Sequence, residues 1–200
     1  MRTLSLRILT VAAVLATSCA GPASLNGMLV SRRFAADERL DHAVVYVESE
    51  SRTLDRHFPA RADRVALKFA GGRIEPVVSV ATTGSWLELW NADSVFHQPF
   101  SRSLAATFEG RSVRPGAGTV VRLRAKGLVQ VFCQLHDGES AELLVLDNGA
   151  WARPDITGAF SLPALPRGHY VLHAWHPRLG EQAMPLEIGR SGPVSVELRY

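Results

Sequence analysis

Four side chains in the middle of this 200-residue chain are of types that bind metal ions. Cys133 and His136 stand three residues apart, and Glu139 follows three residues later. His97 lies 36 residues before Cys133. A thiolate and two imidazoles suit copper or zinc, and copper electron-transfer sites use two histidines and one cysteine with a weak axial ligand. Such a site must hold its ligands nearly fixed, so that little rearranges between Cu(I) and Cu(II).

The sequence around Cys133 predicts how those ligands are positioned. Val129, Val131 and Cys133 alternate with residues that face the other way, which predicts a strand with the thiol on the core side. His136 follows after a tight turn, and an apolar stretch at 141–146 predicts the next strand. Cys133 and His136 are thus expected in one loop between two strands.

The remaining sequence predicts an all-β protein, because short alternating or β-branched runs recur between Gly, Pro, Asn and Asp residues. A helical period is absent over ten or more residues, and only a short helical turn is expected, at 103–108. This spacing is typical of a sandwich or barrel. The predicted strands are 43–48, 64–70, 76–81, 85–90, 119–124, 128–132, 141–147, 169–176 and 194–200.

Residues 62–147 resemble a cupredoxin, the Greek-key sandwich of plastocyanin and azurin. The resemblance rests on the segment that leads to His97, PVVSVATTGSWLELWNADSVFHQPFS. It also rests on the apolar strand that begins after Gly127 and ends at Cys133. The order of an early His, then Cys and His in one loop, matches His97, Cys133 and His136. The resemblance implies copper bound by these three residues for one-electron transfer.

One departure from the resemblance concerns the axial ligand. Similar exported proteins of the methylamine-utilisation type carry Cys-Asn-Ile-His-x-x-Met, whereas Glu139 occupies the Met position here. Three hypotheses follow. Copper binds with Glu139 as an oxygen ligand, which lowers the reduction potential because an anion stabilises the more charged ion. Alternatively, one Cys, two His and one Glu hold zinc or store copper. In the third, the site holds no metal and Cys133 is a buried thiol.

A second module is expected around the first. Residues 153–200 resemble the carboxypeptidase regulatory-like, or transthyretin-like, sandwich, with Phe160, Leu162, Tyr170 and Leu172 facing one core. Residues 26–30 and 40–47 resemble the opening strands of that family. We therefore expect a discontinuous β-sandwich of residues 24–50 with 150–200, and the cupredoxin-like domain inserted between them. Such a module acts as a spacer or binds a glycan, and fold alone does not decide.

The first residues resemble a bacterial lipoprotein signal. Arg2 and Arg7 precede a nine-residue apolar stretch at 8–16, and small residues lead to Cys19. The resemblance implies a signal peptide at 1–18, lipidation of Cys19, and a periplasmic protein anchored to the outer membrane. An ordinary cleaved signal peptide is the alternative, and it also implies export.

Composition excludes several other classes. With 46% hydrophobic and 20% charged residues, the chain is neither disordered nor collagen-like. We expect no nucleic-acid partner, because the basic residues are scattered and no run exceeds the pair Arg32–Arg33. The sequence lacks a Ser-His-Asp phrase, a phosphate loop and HExxH, so no enzyme is expected. The partners expected are a redox protein and, through the lipid anchor, the membrane; a metal-free envelope module that binds a glycan or another protein is the rival function.

For the other histidines and for three tryptophans, the sequence predicts only their exposure to solvent. His42 and His57 are expected in solvent, and His169, His173 and His176 are expected on an exposed strand rather than at a metal. The tryptophans expected in the core or at an interface are Trp86, Trp90 and Trp151.

Overall fold

The computed structural model describes residues 25–30, 39–51, 53–189 and 194–200. The predictions for the leader and for Cys19 lie outside these residues. The described part of the chain is almost entirely β-structure, which confirms the expected fold class. Its sixteen strands are β1 (Leu25–Val30), β2 (Val44–Glu48), β3 (Arg64–Phe69), β4 (Ile74–Glu75), β5 (Val78–Thr82), β6 (Trp86–Asn91), β7 (Pro99–Ser103), β8 (Ala106–Glu109), β9 (Gly118–Arg122), β10 (Gly127–Cys133), β11 (Ser140–Leu146), β12 (Trp151–Ala152), β13 (Ala159–Leu162), β14 (Gly168–His176), β15 (Gly180–Ile188) and β16 (Val194–Arg199).

Strands β3 to β11 form one sandwich. Its sheets have the orders β4-β3-β6-β9 and β5-β11-β10-β7-β8. The alternating apolar residues of both sheets enclose one buried core, which includes Leu67, Leu89, Val131 and Leu143. Period-two alternation is the reason, because a strand packed on one face buries every second side chain. Val129, Val131 and Cys133 are buried on this side, as the sequence predicts.

The other two sheets combine the first and last strands of the described chain. Their orders are β13-β1-β16 and β12-β2-β14-β15. Strand β1 runs antiparallel to β13 and parallel to β16, while β2 lies between β12 and β14. The core between these sheets contains Leu25, Val45, Phe160, Leu172 and further apolar residues. Strands 100 residues and more apart in sequence therefore share one core.

The two sandwiches pack against each other through a separate apolar cluster. Val44, Tyr46 and Trp175 on one side meet Leu144 and Leu146 on the other. Two polar links cross near this contact. Arg153 Nη2 donates to the Val78 carbonyl at 2.7 Å, and Lys126 Nζ lies 3.0 Å from a Glu48 carboxylate oxygen. The sheet that carries β10 and β11 thus has apolar packing on both faces.

One local expectation from the sequence is wrong, and one short helix was not predicted. The helical turn expected at 103–108 is the tip of the β7–β8 hairpin, in which Ser103 pairs with Ala106. Leu104 lies fully exposed in that tip, so its apolar character is no sign of a packed helix face. Conversely, Thr53–His57 forms a short helix, α1, that the strand pattern does not indicate. Leu54 is buried there and fixes α1 to the core.

The tryptophans expected in the core or at an interface differ in exposure, and Trp86 and Trp90 are not core residues. Trp151 is half-buried beside the contact between the sandwiches, but Trp86 and Trp90 are exposed. The two exposed rings share a face of β6 with Glu88, while Leu87 and Leu89 fill the core face. The guanidinium of Arg122 lies over the Trp86 ring, 4.8 Å from its centroid.

Among the residues described, no helix has the length and apolar character needed to cross a membrane.

The close packing of β1 makes Gly27 sensitive to substitution. A Cβ at Gly27 would lie 2.2 Å from Phe160 Cζ and 2.8 Å from Val196 Cγ2. Gly27→Ala is therefore expected to lower the free energy of unfolding by about 1–3 kcal/mol through overpacking. Urea unfolding measures this change in stability. Gly189→Ala is the control, because no atom lies within 4 Å of a Cβ placed at Gly189. Equal stabilities of the two variants would contradict the packing described for β1.

Candidate metal centre

The backbone on both sides of His97 is tied to neighbouring segments. Before it, β6 ends at Asn91; after it, β7 begins at Pro99. The His97 N–H donates to the Val113 carbonyl at 3.1 Å, and the Val113 N–H donates back at 2.7 Å. This isolated bridge fixes the His97 backbone within the loop between β6 and β7.

Cys133 is brought to the same place by strand pairing. It is the last residue of β10, and its partner across the ladder is Pro99 at the start of β7. One residue further, the Gln134 N–H donates to the Gln98 carbonyl at 2.8 Å. Because antiparallel partners lie side by side, the loop that carries His97 and the loop that follows Cys133 meet at one end of the sandwich.

The loop between β10 and β11 is closed on itself. The Cys133 N–H donates to the Glu139 carbonyl at 3.2 Å. Gly138 has a φ of +82°, a conformation that costs a side-chain-bearing residue free energy, and it lets the loop reverse within a few residues. His136 and Glu139 are thereby returned to the side of the loop on which the Cys133 thiol lies.

The four residues singled out in the sequence lie together. Their potential ligand atoms are all within 4.8 Å of one another, and they are the one such group among the residues that the structure describes. His97 Nδ1 lies 2.9 Å from Glu139 Oε2 and 3.2 Å from His136 Nδ1. Cys133 Sγ lies 3.6 Å from His97 Nδ1 and 3.5 Å from His136 Nδ1.

These distances match the edges of a coordination tetrahedron. Metal–nitrogen bonds of about 2.0 Å and metal–sulfur bonds of about 2.3 Å give N–N edges of about 3.3 Å and N–S edges of about 3.5 Å. The corresponding distances here are 3.2 Å between the two nitrogens and 3.5 and 3.6 Å from each to the sulfur. Glu139 Oε2 is 3.5 Å from His136 Nδ1 but 2.9 Å from His97 Nδ1, which is a hydrogen-bond distance and shorter than such an edge. The two imidazoles and the thiol therefore fit three ligands of a copper or zinc ion, and Glu139 lies beside them as a candidate fourth.

Burial of the group is uneven. The side chains of His97 and Glu139 are 1% and 3% exposed, and Cys133 is also buried. The side chain of His136 is 38% exposed. A buried carboxyl group needs a polar partner, since water no longer solvates it, and His97 Nδ1 supplies one to Glu139 at 2.9 Å. His136 is the member of the group that reaches the surface.

Three residues outside this group hold His97, and sequence analysis missed their roles. Asp93 Oδ2 lies 3.0 Å from His97 Nε2, and the Phe69 ring stacks on the imidazole with centroids 4.5 Å apart. Buried Asn91 donates from Nδ2 to the carbonyls of Val95 and Val113 at 2.7 and 2.9 Å. The signal available was the phrase Asn-x-Asp before the histidine, in which Asp93 precedes His97 by four residues.

Asp93 is itself held in its charged form. The Gly71 N–H donates to Asp93 Oδ1 at 2.7 Å, and this bond, with that from His97, keeps the pKa of Asp93 below its usual value. The carboxylate therefore lies at His97 as an anion over the ordinary pH range.

The other histidines lie apart from the group. His169 is exposed, and half-buried His173 bonds from Nδ1 to Glu181 at 2.9 Å and stacks on Tyr46. Buried His176 accepts the N–H groups of Arg178 and Leu179 at its Nδ1, so the expectation of an exposed histidine is wrong there. His42 is half-buried and His57 exposed.

Comparisons with known proteins find likeness in solved structures alone. No protein-family model matches the sequence, and no curated protein matches it significantly. A Cu-containing nitrite reductase from Thermus scotoductus SA-01 matches at 16% identity and a TM-score of 0.38, over 41% of this chain and 22% of its own. A purple cupredoxin from Nitrosopumilus maritimus matches at 16% identity and a TM-score of 0.36, over 40% of this chain and 98% of its own. A mutant of amicyanin in its Cu(I) form matches at 16% identity and a TM-score of 0.39, over 50% of this chain and 97% of its own.

The hydrogen bonds that the buried Asn91 side chain donates are expected to stabilise the loop before His97. Asn91→Ala leaves the Val95 and Val113 carbonyls without their donor and is expected to cost about 1–3 kcal/mol of unfolding free energy. Ser94→Ala is the control, because Ser94 is exposed in the same loop. Denaturant unfolding of the metal-free protein compares them, and an Asn91→Ala variant as stable as the control would refute this role.

Proposed function

We propose that this protein binds one copper ion through His97, Cys133, His136 and Glu139 and passes single electrons. The observation that carries the proposal is the set of distances among the thiol and the two Nδ1 atoms, which matches the edges of one coordination polyhedron. These residues come from two separate parts of the sandwich, the loop before β7 and the end of β10 with the loop that follows it, and the pairing of β7 with β10 brings the two parts together.

The donor types support copper. Bound copper would supply a one-electron couple, and a nitrogen and sulfur donor set binds Cu(II) more strongly than Zn(II) in the general order of affinities. The chain contributes rigidity: three of the four side chains are buried, and the backbones on either side of them are paired. Ligands held in this way reorganise little when the charge of the ion changes.

An electron would enter or leave through His136. It is the ligand with an exposed side chain, whereas the other three lie in the interior. Phe96 and Leu135, which precede His97 and His136 in the two ligand loops, are exposed apolar residues. Exposed apolar side chains desolvate readily and suit transient contact with a redox protein, the partner that we propose.

Export and a lipid anchor complete the proposal. They are supported by the leader-like sequence before Cys19, in which a short apolar stretch follows Arg2 and Arg7. An outer-membrane anchor would hold the copper protein in the periplasm, where Cys133 would be the free thiol of the mature chain because Cys19 carries the lipid.

A zinc or copper storage site is the second candidate, and one observation favours it. Four protein ligands, of which three are shielded from water, resemble closed structural sites more than open catalytic ones. Such a site would bind Zn(II) or Cu(II) without cycling between oxidation states.

Copper binding through the thiolate gives a direct spectroscopic test. Addition of Cu(II) to the purified protein is expected to produce an intense visible thiolate-to-copper absorption, and Cys133→Ala is expected to abolish it. His169→Ala is the control, because His169 is exposed on β14 and lies outside the group. A reversible one-electron wave in voltammetry separates electron transfer from storage.

The outcomes separate the hypotheses. Tight binding of Zn(II) or Cu(II) without a reversible wave would replace electron transfer by storage. If the protein binds neither ion, both metal hypotheses fail, and the remaining hypothesis is a metal-free envelope module that binds a glycan or another protein.

The role of Glu139 is tested by its replacement. Glu139→Met exchanges an anionic oxygen for a neutral thioether, so Cu(II) loses more affinity than Cu(I) and the reduction potential is expected to rise. Each tenfold change in relative affinity corresponds to about 59 mV. Asp137→Met is the matched control, since Asp137 is an exposed acid in the same loop. If both variants keep the wild-type potential, Glu139 is not a ligand.

A further inference from the structure

The carboxylate of Asp93 meets the side of His97 that points away from the ligand group. Asp93 Oδ2 lies 3.0 Å from His97 Nε2, while His97 Nδ1 faces Glu139, Cys133 and His136. An ionised carboxylate can only accept hydrogen bonds, so the short contact requires a proton on Nε2.

The position of Asp93 is fixed by backbone groups from another part of the sandwich. Gly71 and Gly72 follow β3 with φ values of +60° and +75°, a pair of left-handed residues that turns N–H groups toward one point. The Gly71 N–H donates to Asp93 Oδ1 at 2.7 Å. From the other direction, Asn91 Oδ1 accepts the backbone N–H of Asp93 at 2.9 Å. The carboxylate is therefore tied at both oxygens and at its own backbone.

The orientation of Asp93 decides which form of His97 faces the ligand group. With its Nε2 proton held by the Asp93 carboxylate, the imidazole turns Nδ1 to the ligand group, where Nδ1 lies 2.9 Å from Glu139 Oε2. A metal ion bound there would take the Nδ1 lone pair in place of that hydrogen bond. Phe69, stacked on the ring, restricts its rotation. A hydrogen bond from a metal-binding imidazole to a carboxylate also increases the electron density at the ligating nitrogen.

We propose that Asp93 is a positioning residue that holds His97 in the Nδ1-binding form and biases the site toward a divalent ion over Cu(I). This inference rests on the proposed function, because it concerns the same site. Asp93 adds a third negative charge near the ion, after the Cys133 thiolate and Glu139. The attraction is greater for a charge of +2 than for +1, and it is strong because His97 is buried.

Asp93→Asn tests the charge with little change of shape. The amide can still accept the His97 Nε2 proton, but the negative charge and one of the two acceptors are lost. The Kd for Cu(II) is expected to rise by about 10–100-fold, the usual effect of removing an outer partner of a metal-binding histidine. The Kd for Cu(I) is expected to rise less. A tenfold difference between the two changes raises the reduction potential by about 59 mV.

Asp137→Asn is the matched control. Asp137 lies next to His136 and is exposed, and the structure gives it no hydrogen bond or ion pair with the residues described. The Asp137→Asn substitution therefore removes one negative charge close to the site and leaves the four candidate ligands in place. Asp93→Ser is a second variant that retains a small hydrogen-bonding side chain. Thermal unfolding of each metal-free variant shows whether it is folded before its potential is compared.

The outcomes distinguish this inference from the proposed function. The positioning role is supported if the reduction potential of bound copper rises in Asp93→Asn and Asp93→Ser but stays near the wild-type value in Asp137→Asn. Equal shifts in Asp93→Asn and Asp137→Asn overturn it and leave copper binding intact, because a general loss of charge then suffices. Equal losses of Cu(II) and Cu(I) affinity also overturn it. A wild-type protein that shows no thiolate-to-copper absorption overturns both proposals.

Discussion

The pairing of β7 with β10 is the constraint on which the candidate site depends. Cys133 lies beside Pro99, and the Gln134 N–H reaches the Gln98 carbonyl at 2.8 Å, so two loops that are far apart in sequence share one end of the sandwich. Without this register, His97 would have no thiolate or second imidazole near it. Because a slip by one residue would turn Cys133 to the opposite face of β10, the register and the buried face of that strand are coupled.

That register is protected by packing on both sides of the sheet. On the inner face Val129 and Val131 are fully buried in the sandwich core. On the outer face, Leu144 and Leu146 of the neighbouring strand β11 meet Val44 and Trp175 of the other sandwich. The second sandwich therefore supports the one that carries the candidate site, since it removes one face of the β10–β11 sheet from water and stiffens the strands that end at that site.

The alternation of residues predicted the elements around the site, and long-range contacts decided the rest. Val129, Val131 and Cys133 showed their common face in the sequence because a strand has a period of two. The exposed face of β6 could have been found by the same logic, as Glu88 lies between Trp86 and Trp90. In contrast, the tie between Gly71 and Asp93 spans 22 residues and follows from parallel pairing of β3 with β6. No local pattern contains that pairing, so the role of Asp93 emerged only in three dimensions.

Charge connects the structure of the group to the chemistry proposed for it. A thiolate and a carboxylate neutralise a divalent ion, whereas Cu(I) would leave one net negative charge in a buried site. Burial makes an uncompensated charge costly, and Asp93 on the far side of His97 increases the imbalance. The oxidised ion is thus favoured, and a reduced site with this composition gives up its electron readily. If copper binds as proposed, such a centre would be suited to donate electrons at the exposed edge of His136 rather than to accept them from a weak reductant.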